Sequence, residues 1–193
     1  RIRTNLPDWI VEALAKRFAP DELAQLAAAL NYPAPLDLRV NPLKASREQV
    51  LAALEEAGIE AGATPFAPLG VRVVGKPALT KLKVFEDGWV EVQDEGSQLM
   101  CSLVAPRRGE MIVDFCAGAG GKTLALGAAM RSTGRLYAFD VAERRLAKLK
   151  PRLARSGLSN VHPVHIDSEH DIKIKRLAGK IDRVLVDAPC SGL

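Results

Sequence analysis

Three features are scarce or missing in this chain of 193 residues, and each excludes a class of protein. No apolar run approaches the roughly 20 residues that a membrane-spanning helix needs, so we expect no membrane association. No signal-peptide pattern is visible at the N-terminus, which predicts a cytoplasmic protein. Only three cysteines occur, an odd number at no metal-ligand spacing. They predict neither a disulfide framework nor a metal centre.

The composition that is present indicates a globular protein. Hydrophobic residues make up 48% and charged residues 26%, which excludes a disordered chain. The net charge of +4 permits a polyanionic partner without requiring one. Basic residues form local clusters, of which the largest is Arg144, Arg145, Lys148, Lys150, Arg152 and Arg155. Such a cluster is usually a solvated helix face, and nucleic-acid binding would need several clusters to meet on one face.

The first half of the chain predicts two small folding units. Residues 7–30 favour two helices, separated at Pro20-Asp21, and are assigned to a helical segment over residues 1–34. The alternating stretch Leu36–Val40 predicts a strand, and residues 71–74 predict another. Ser46-Arg-Glu-Gln49 resembles a capping box and predicts a helix that ends at Gly58. Residues 35–90 are therefore expected to form a small α+β domain.

The second half, residues 91–193, has the pattern of an α/β domain. A polar stretch, Gln93–Gln98, precedes a helix-like run, and strand candidates then alternate with helices or loops. The strand candidates are Met111–Phe115, Arg135–Phe139, Val161–Val164 and Ile181–Val186. This alternation predicts a parallel, doubly wound sheet with helices between its strands.

One glycine-rich segment, Asp114-Phe-Cys-Ala-Gly-Ala-Gly-Gly-Lys-Thr123, follows the first of these strands and leads into a helix. Glycines allow close backbone approach, and a helix N-terminus offers free N–H groups to a ligand. A Walker loop fails because Cys116 stands where its first glycine should be, and a dinucleotide fingerprint fails at Thr123. The remaining interpretation is a cofactor without a pyrophosphate, such as S-adenosylmethionine.

Three carboxylates, Asp140, Asp167 and Asp187, lie at or just after strand ends, where ligands bind in open parallel sheets. Asp140 is favoured as the acceptor for both ribose hydroxyls, with a helix N-cap as the alternative. Asp167 could contact the adenine amino group, or it could be a turn residue. Cys190 lies on a loop of small residues directly after Asp187. A thiol there could add to carbon 6 of a cytosine, which activates carbon 5 for methylation.

These motifs together resemble the Nol/Nop/Sun family of RNA cytosine-5 methyltransferases. The glycine-rich segment and Asp187-Ala-Pro-Cys-Ser-Gly192 carry the resemblance, which is strongest to the bacterial ribosomal RNA methyltransferases of the Sun type. Gln93–Gln98 resembles the family segment before the cofactor strand. Leu38-Arg-Val-Asn-Pro42 resembles part of its RNA-recognition-like domain. The resemblance covers roughly residues 35 to 193.

The resemblance implies a Rossmann-like methyltransferase sheet that is preceded by the small α+β domain. The sheet would bind S-adenosylmethionine, and the protein would act on RNA, with ribosomal RNA favoured. Asp140 would bind the ribose, Asp167 the adenine, and Asp187 would lie between cofactor and target base. Cys190 would release the methylated product. Apart from the resemblance, the place of Lys122 after two glycines at a helix N-terminus favours a buried ion pair or a target-side contact over a solvated lysine. A monomer is expected. The methionine and ribose part of the cofactor would be lined by Cys116, Ala117, Gly118, Ala119, Gly120, Gly121 and Lys122.

The sequence departs from the family pattern at two points. It contains no Thr-Cys, the family's nucleophile motif, and it stops before the last strands of a seven-stranded sheet. It therefore resembles a truncated protein, and the chain alone is expected to be inactive. Gly118-Ala119 replaces the more usual Ala-Pro. Two alternatives stay open: a DNA-type enzyme with Cys190 as nucleophile, and a non-catalytic RNA-binding module with a vestigial cofactor fold.

Overall fold

The computed structural model describes residues 5–189, and its backbone divides into two compact units between Pro35 and Leu36. The first unit contains the two predicted helices, α1 (Asp8–Ala15) and α2 (Pro20–Leu30). Pro20 is the first residue of α2, where its missing N–H costs nothing. The Glu22 carboxylate accepts a hydrogen bond from the Ala19 N–H at 3.0 Å and so satisfies one of the free donors.

The second unit begins with an antiparallel sheet whose strand order is β2-β3-β1-β4. The predicted helix α3 (Arg47–Glu56) packs on it through Val50 and Leu54, which are spaced four residues apart and fully buried. The predicted capping box is present, because the Ser46 Oγ accepts from the Gln49 N–H and the Gln49 Oε1 from the Ser46 N–H. The strands are β1 (Leu36–Val40), β2 (Ala61–Ala63), β3 (Gly70–Val73) and β4 (Val90–Val92).

A second sheet follows, and all of its strand pairs are parallel, as the sequence predicted. Its strands are β5 (Met111–Asp114), β6 (Arg135–Asp140), β7 (Val161–His165) and β8 (Arg183–Leu185). Their order is β7-β6-β5-β8. The chain therefore moves outward from β5 to β7 and then returns to the other side of β5. This reversal between β5 and β8 is a topological switch point, where ligands of such sheets bind.

Five further α-helices occur among the described residues of the second unit, and the last three of them connect the strands of the parallel sheet. They are α4 (Lys83–Glu86), α5 (Glu95–Val104), α6 (Gly121–Ala129), α7 (Glu143–Ser156) and α8 (Ile172–Lys175). The core between α6, α7 and the second sheet contains Leu124, Leu126, Leu136 and Leu149, each at most 1% exposed. Within the described residues, no helix combines the length and the apolar character that crossing a bilayer requires.

The structure adds detail that the sequence pattern missed. Helix α5 starts inside the polar stretch, because the Asp94 side chain accepts a hydrogen bond from the Ser97 N–H at 3.1 Å. Strand β8 is shorter than expected. The elements β2, β4, α4 and α8 contain three or four residues each, too few for a periodic pattern to be visible.

Candidate functional site

A glycine-rich turn (residues 115–120) connects β5 to α6 at the carboxyl edge of the second sheet. Gly118 and Gly120 have φ values of +56° and +83°, a conformation that disfavours side chains. A Cβ on Gly120 would lie 2.2 Å from the Cδ1 of Leu149. The sequence therefore needs glycine at this position both for its backbone conformation and for the close approach of the core.

Asp140, the last residue of β6, fixes this turn from the neighbouring strand. Its Oδ2 accepts from the Gly118 N–H and its Oδ1 from the Ala142 N–H, both at 2.7 Å. The carboxylate is 4% exposed, and the Arg145 guanidinium lies 3.9 Å away. The N-cap of α7 is Ala142, whereas the N-cap alternative would require Asp140; the Asp140 carboxylate instead binds the N–H of that N-cap residue. Each carboxylate oxygen has a second lone pair, so this role is compatible with ligand binding.

Asp114, the last residue of β5, is a buried carboxylate beside the turn. Its Oδ2 accepts from the Thr123 hydroxyl at 2.6 Å. Its Oδ1 is buried and has no hydrogen-bond partner among the described residues. Burial is the largest cause that raises the pKa of Asp114 from 3.8 to about 6; the charges of Asp187 and Asp140 add to it, and the Thr123 hydrogen bond opposes it. A buried acceptor without a partner suits a cationic ligand group.

Lys122 and Asp187 form an ion pair across this edge, with Nζ and Oδ2 2.7 Å apart. Lys122 lies in the first turn of α6, and Asp187 follows β8 by two residues. The Lys122 side chain is 19% exposed and that of Asp187 is 54% exposed. Lys122 is thus a paired residue of the site and not a freely solvated lysine. The pair places one cation and one anion at the solvent-facing side of the edge.

A cavity of about 300 Å³ opens at this position. It brings together six of the predicted cofactor residues, namely Cys116, Ala117, Ala119, Gly121, Lys122 and Asp187. The remaining lining residues are Val92, Gln93, Asp94, Ser97, Asp114 and Arg145. Polar groups from the stretch Gln93–Gln98 and from α7 therefore line the cavity together with residues of the turn.

The other predicted site residues that the structure describes lie outside the lining of this cavity. Gly118, Gly120 and Asp140 are not among the residues that line the cavity. Gly118 and Asp140 are hydrogen-bonded to each other, and Gly120 is the N-cap of α6. Asp167 follows β7 at the same edge of the sheet, but its side chain is 87% exposed and is not among the residues that line the cavity. Its backbone N–H donates to the Asp171 carboxylate at 3.1 Å. Cys190 lies outside the described residues.

Sequence reasoning did not single out Asp114, Arg145 or Ser97 as site residues. Asp114 was visible as the acidic end of a buried strand. Arg145 belongs to a basic cluster that was interpreted as a solvated helix face. Its guanidinium nevertheless lies over Gly118. Ser97 belongs to the polar stretch Gln93–Gln98, in which α5 begins. In each case the signal was present, but only the fold brings these residues to one cavity.

The surroundings of the two described cysteines disfavour their thiolate forms. Burial raises the pKa of the Cys101 thiol, which packs in the core of the second sheet. Burial also raises the pKa of Cys116, and the neighbouring charges of Asp140, Asp114 and Asp187 raise it further. Thiols with a raised pKa carry little thiolate at neutral pH and are poor nucleophiles.

Two protein-family models match the chain. One, described as 16S rRNA methyltransferase RsmB/F, matches residues 101–193. The other, described as the ferredoxin-like domain of RsmF/B-like methyltransferases, matches residues 6–80. Neither model covers residues 81–100, which contain β4 of the antiparallel sheet and the first part of α5.

Curated relatives extend over nearly the whole chain. A probable ribosomal RNA small subunit methyltransferase B of Synechocystis sp. is 37% identical over 190 residues, which cover 98% of this chain and 42% of the relative. The ribosomal RNA small subunit methyltransferase B of Yersinia enterocolitica is 38% identical, covering 96% of this chain and 42% of the relative. The chain thus spans about two fifths of the length of these relatives.

Solved structures share the fold. PH0851 is 33% identical with a TM-score of 0.87, and the match covers 95% of this chain and 41% of PH0851. NSun6 from Pyrococcus horikoshii, whose structure was determined with SFG, has a TM-score of 0.87 at 21% identity over 98% of this chain and 72% of its own. At that identity, the second match supports the fold alone.

Proposed function

This chain belongs to the RsmB/F family of ribosomal RNA small subunit methyltransferases, and on that premise we propose that its cavity binds S-adenosylmethionine as methyl donor. The observation that carries the proposal is the buried Asp140 at the end of β6, hydrogen-bonded to the glycine-rich turn beside the cavity. When bound, S-adenosylmethionine supplies a methyl group on a sulfonium centre. The chain's own residues bind and orient it.

The residues fit such a ligand. Asp140 keeps a lone pair on each oxygen for the ribose hydroxyls. Asp114 offers its unpartnered Oδ1 to the α-ammonium group, and Lys122 offers a cation to the α-carboxylate. Gly118 and Gly120 carry no side chains that would fill the turn. We keep Asp167 as a contact to the adenine, because it follows the neighbouring strand β7 at the same edge.

Titration calorimetry tests the donor. We expect S-adenosylmethionine to bind one site per chain and ATP and NAD to bind much more weakly, because the turn offers no pyrophosphate cradle. Asp140→Asn should weaken the binding about tenfold, since hydrogen bonds to a charged group are lost. Asp87→Asn makes the same charge change at the C-cap of α4, outside the residues that line the cavity, and should leave the affinity unchanged. Equal heats for ATP and for S-adenosylmethionine would refute the proposal.

We further propose that the methyl acceptor is carbon 5 of a cytosine in RNA, with ribosomal RNA favoured, and that the reaction proceeds through a cysteine–cytosine adduct. Asp187 is paired with Lys122 at the solvent-facing side of the cavity. This position supports a role for Asp187 between the methyl donor and the target base. Cys190 follows three residues later and is assigned to product release. The family's nucleophile motif, Thr-Cys, does not occur in these 193 residues.

An RNA that contains 5-fluorocytosine separates the two roles of Cys190, because it traps a covalent adduct with the attacking thiol. If Cys190 only releases product, this chain forms no adduct. If Cys190 is the nucleophile, the chain forms an adduct, and the Cys190→Ala variant does not. Gel mobility under denaturing conditions reads the outcome. The remaining alternative, a non-catalytic RNA-binding module, would bind RNA while giving no heat with S-adenosylmethionine.

A further inference from the structure

Two arginines hold backbone carbonyls at the glycine-rich turn from outside it. The Arg152 Nη1 on α7 donates to the Ala119 carbonyl at 2.7 Å. The Arg39 Nη1 on β1 donates to the carbonyl of Gly121, the first residue of α6, at 2.8 Å. These carbonyls flank Gly120, whose left-handed backbone sets the direction of the helix that follows. The carbonyl groups before and after Gly120, at the start of α6, are therefore both bound by charged donors.

Each arginine is oriented by a side chain at the end of β4. The Glu91 Oε2 accepts from the Arg152 Nε at 3.0 Å and from its Nη2 at 2.8 Å. The Gln93 Oε1 accepts from the Arg39 Nη1 at 2.5 Å. Glu91 and Gln93 are two residues apart in extended chain, so both point to one face. They are 5% and 7% exposed, and β4 pairs with β1 in the antiparallel sheet.

Charge and burial strengthen the hydrogen bonds from the two arginines to the carbonyl groups of the turn. Desolvation lowers the pKa of Arg39 to about 10, which still leaves the guanidinium charged at neutral pH. A charged donor on a carbonyl forms a stronger hydrogen bond than a neutral one, and poor access of water strengthens it further. A carbonyl bound in this way loses freedom to rotate its peptide plane.

From this arrangement we infer that Arg39 and Arg152 are positioning residues, which hold the glycine-rich turn in its ligand-binding shape and make the antiparallel sheet part of the cofactor site. The inference rests on the proposed function of the cavity as an S-adenosylmethionine site. It assigns a role to Leu38-Arg-Val-Asn-Pro42 that differs from RNA contact. Anything that shifts β4 relative to the second sheet would then change cofactor affinity.

The ordinary explanation is that Glu91 and its arginines only join two sheets. Arg155 provides a matched control for that explanation. It pairs with the other oxygen of Glu91, and its guanidinium lies 4.1 Å from the centre of the Phe85 ring. The Arg155 and Arg152 side chains are 20% and 22% exposed, so their burial is nearly equal. Among the described residues, Arg155 has no hydrogen bond to the turn, whereas Arg152 has one.

The test compares Arg152→Met with Arg155→Met. Each variant leaves Glu91 with one arginine, so both should lower the unfolding temperature by similar amounts. Arg152→Met should also weaken S-adenosylmethionine binding about tenfold in calorimetry, while Arg155→Met should change it less than twofold. Arg152→Lys should recover part of the affinity, because an ammonium group can still reach a carbonyl.

Hydrogen exchange without cofactor reads the turn directly. The amides of Ala117, Gly118 and Gly120 are all hydrogen-bonded, to Phe139, Asp140 and Ala117 respectively, so their exchange reports opening of the turn. Exchange there should be faster in Arg152→Met than in Arg155→Met, with exchange in α3 unchanged. Equal exchange and equal affinity in the two variants overturn the inference. If the wild-type chain binds no S-adenosylmethionine but the exchange difference is present, the positioning role stands and the proposed function fails.

Discussion

Asp114 combines a structural hydrogen bond with a buried oxygen that has no partner among the described residues. Its Oδ2 binds the Thr123 hydroxyl and fixes the start of α6, while its Oδ1 has no partner in the described chain. A buried acceptor that stays unpaired costs stability, and such costs are concentrated at functional sites. The same burial raises the pKa of this carboxyl to about 6.

This raised pKa predicts a specific dependence of stability on pH. The folded state holds the Asp114 proton more tightly than the unfolded chain, whose ordinary pKa is 3.8. The contribution of Asp114 to the free energy of unfolding is therefore present below pH 3.8 and is lost as the pH rises to about 6. The loss amounts to about 3 kcal/mol for a shift of this size.

Urea titrations of the wild-type chain and Asp114→Asn between pH 4 and pH 7.5 measure the effect. Asparagine keeps an acceptor for Thr123 but cannot ionise, so its stability relative to the wild type should rise with pH and then level off above about pH 6. A difference between the two proteins that is constant over this range would contradict the prediction.

At the same scale, part of the site could be predicted from the sequence. The glycines, Lys122 and Asp140 could be named because their types and spacing are diagnostic. Arg39 and Arg152 could not, because the atoms they bind lie 82 and 33 residues away along the chain. Only the docking of β1 and α7 on the turn makes these contacts, and no local pattern encodes that docking.

Asn41, just after β1, joins elements of both sheets. Its Nδ2 donates to the Gly88 carbonyl at 3.2 Å and to the Ser156 carbonyl at 2.9 Å, and its Oδ1 accepts from the Leu43 N–H. Ser156 is the last residue of α7, where carbonyls lack partners within the helix. A side chain from the antiparallel sheet thus caps a helix of the parallel one.

Removing this cap should destabilise the whole second unit. Asn41→Ala leaves two buried carbonyls and one N–H without this partner, for which we expect a loss of about 2 kcal/mol in urea unfolding. Asn41→Asp has the same shape and keeps the acceptor but loses both donations, so it should be at least as unstable as the alanine variant. If the aspartate variant instead matched the wild type, shape and packing would explain Asn41, and its hydrogen bonds would not.

Elements were predictable where their length allowed a pattern to repeat. The helices α2 and α3 and the strands β1 and β6 were found near their observed bounds, because prolines, a capping box and alternation mark them. Strand β4 was not found, since three residues show no period. That omission mattered, because β4 leads to Gln93 and carries Glu91, the residues that orient the two arginines.

For the whole molecule, one exposed group of basic residues lies on α7. Arg144, Arg145, Lys148 and Lys150 on α7 are all exposed, and Arg145 lines the cavity. A polyanion bound along α7 would therefore reach the edge where the methyl donor is proposed to bind. RNA binding on this face would be dominated by phosphate contacts and would weaken as salt rises.

Reversing two of these charges tests that face. The double variant Arg144→Glu with Lys148→Glu should weaken RNA binding and reduce the slope of log affinity against log salt by about 1 to 2, the amount expected for two phosphate contacts. Lys175→Glu with Lys180→Glu makes the same charge change on exposed residues at and after α8 and serves as the control. Equal slopes in the two double variants would place the RNA elsewhere. Binding of S-adenosylmethionine should survive in both.

The most direct test of the proposed cofactor site is a crystal structure of the chain with S-adenosylhomocysteine, the demethylated form of the proposed donor. We predict that both ribose hydroxyls lie within hydrogen-bond distance of the Asp140 carboxylate, with the amino-acid part of the ligand between the glycine-rich turn, Asp114 and Lys122. Ligand density outside this cavity, or inside it without contact to Asp140, would contradict the assignment.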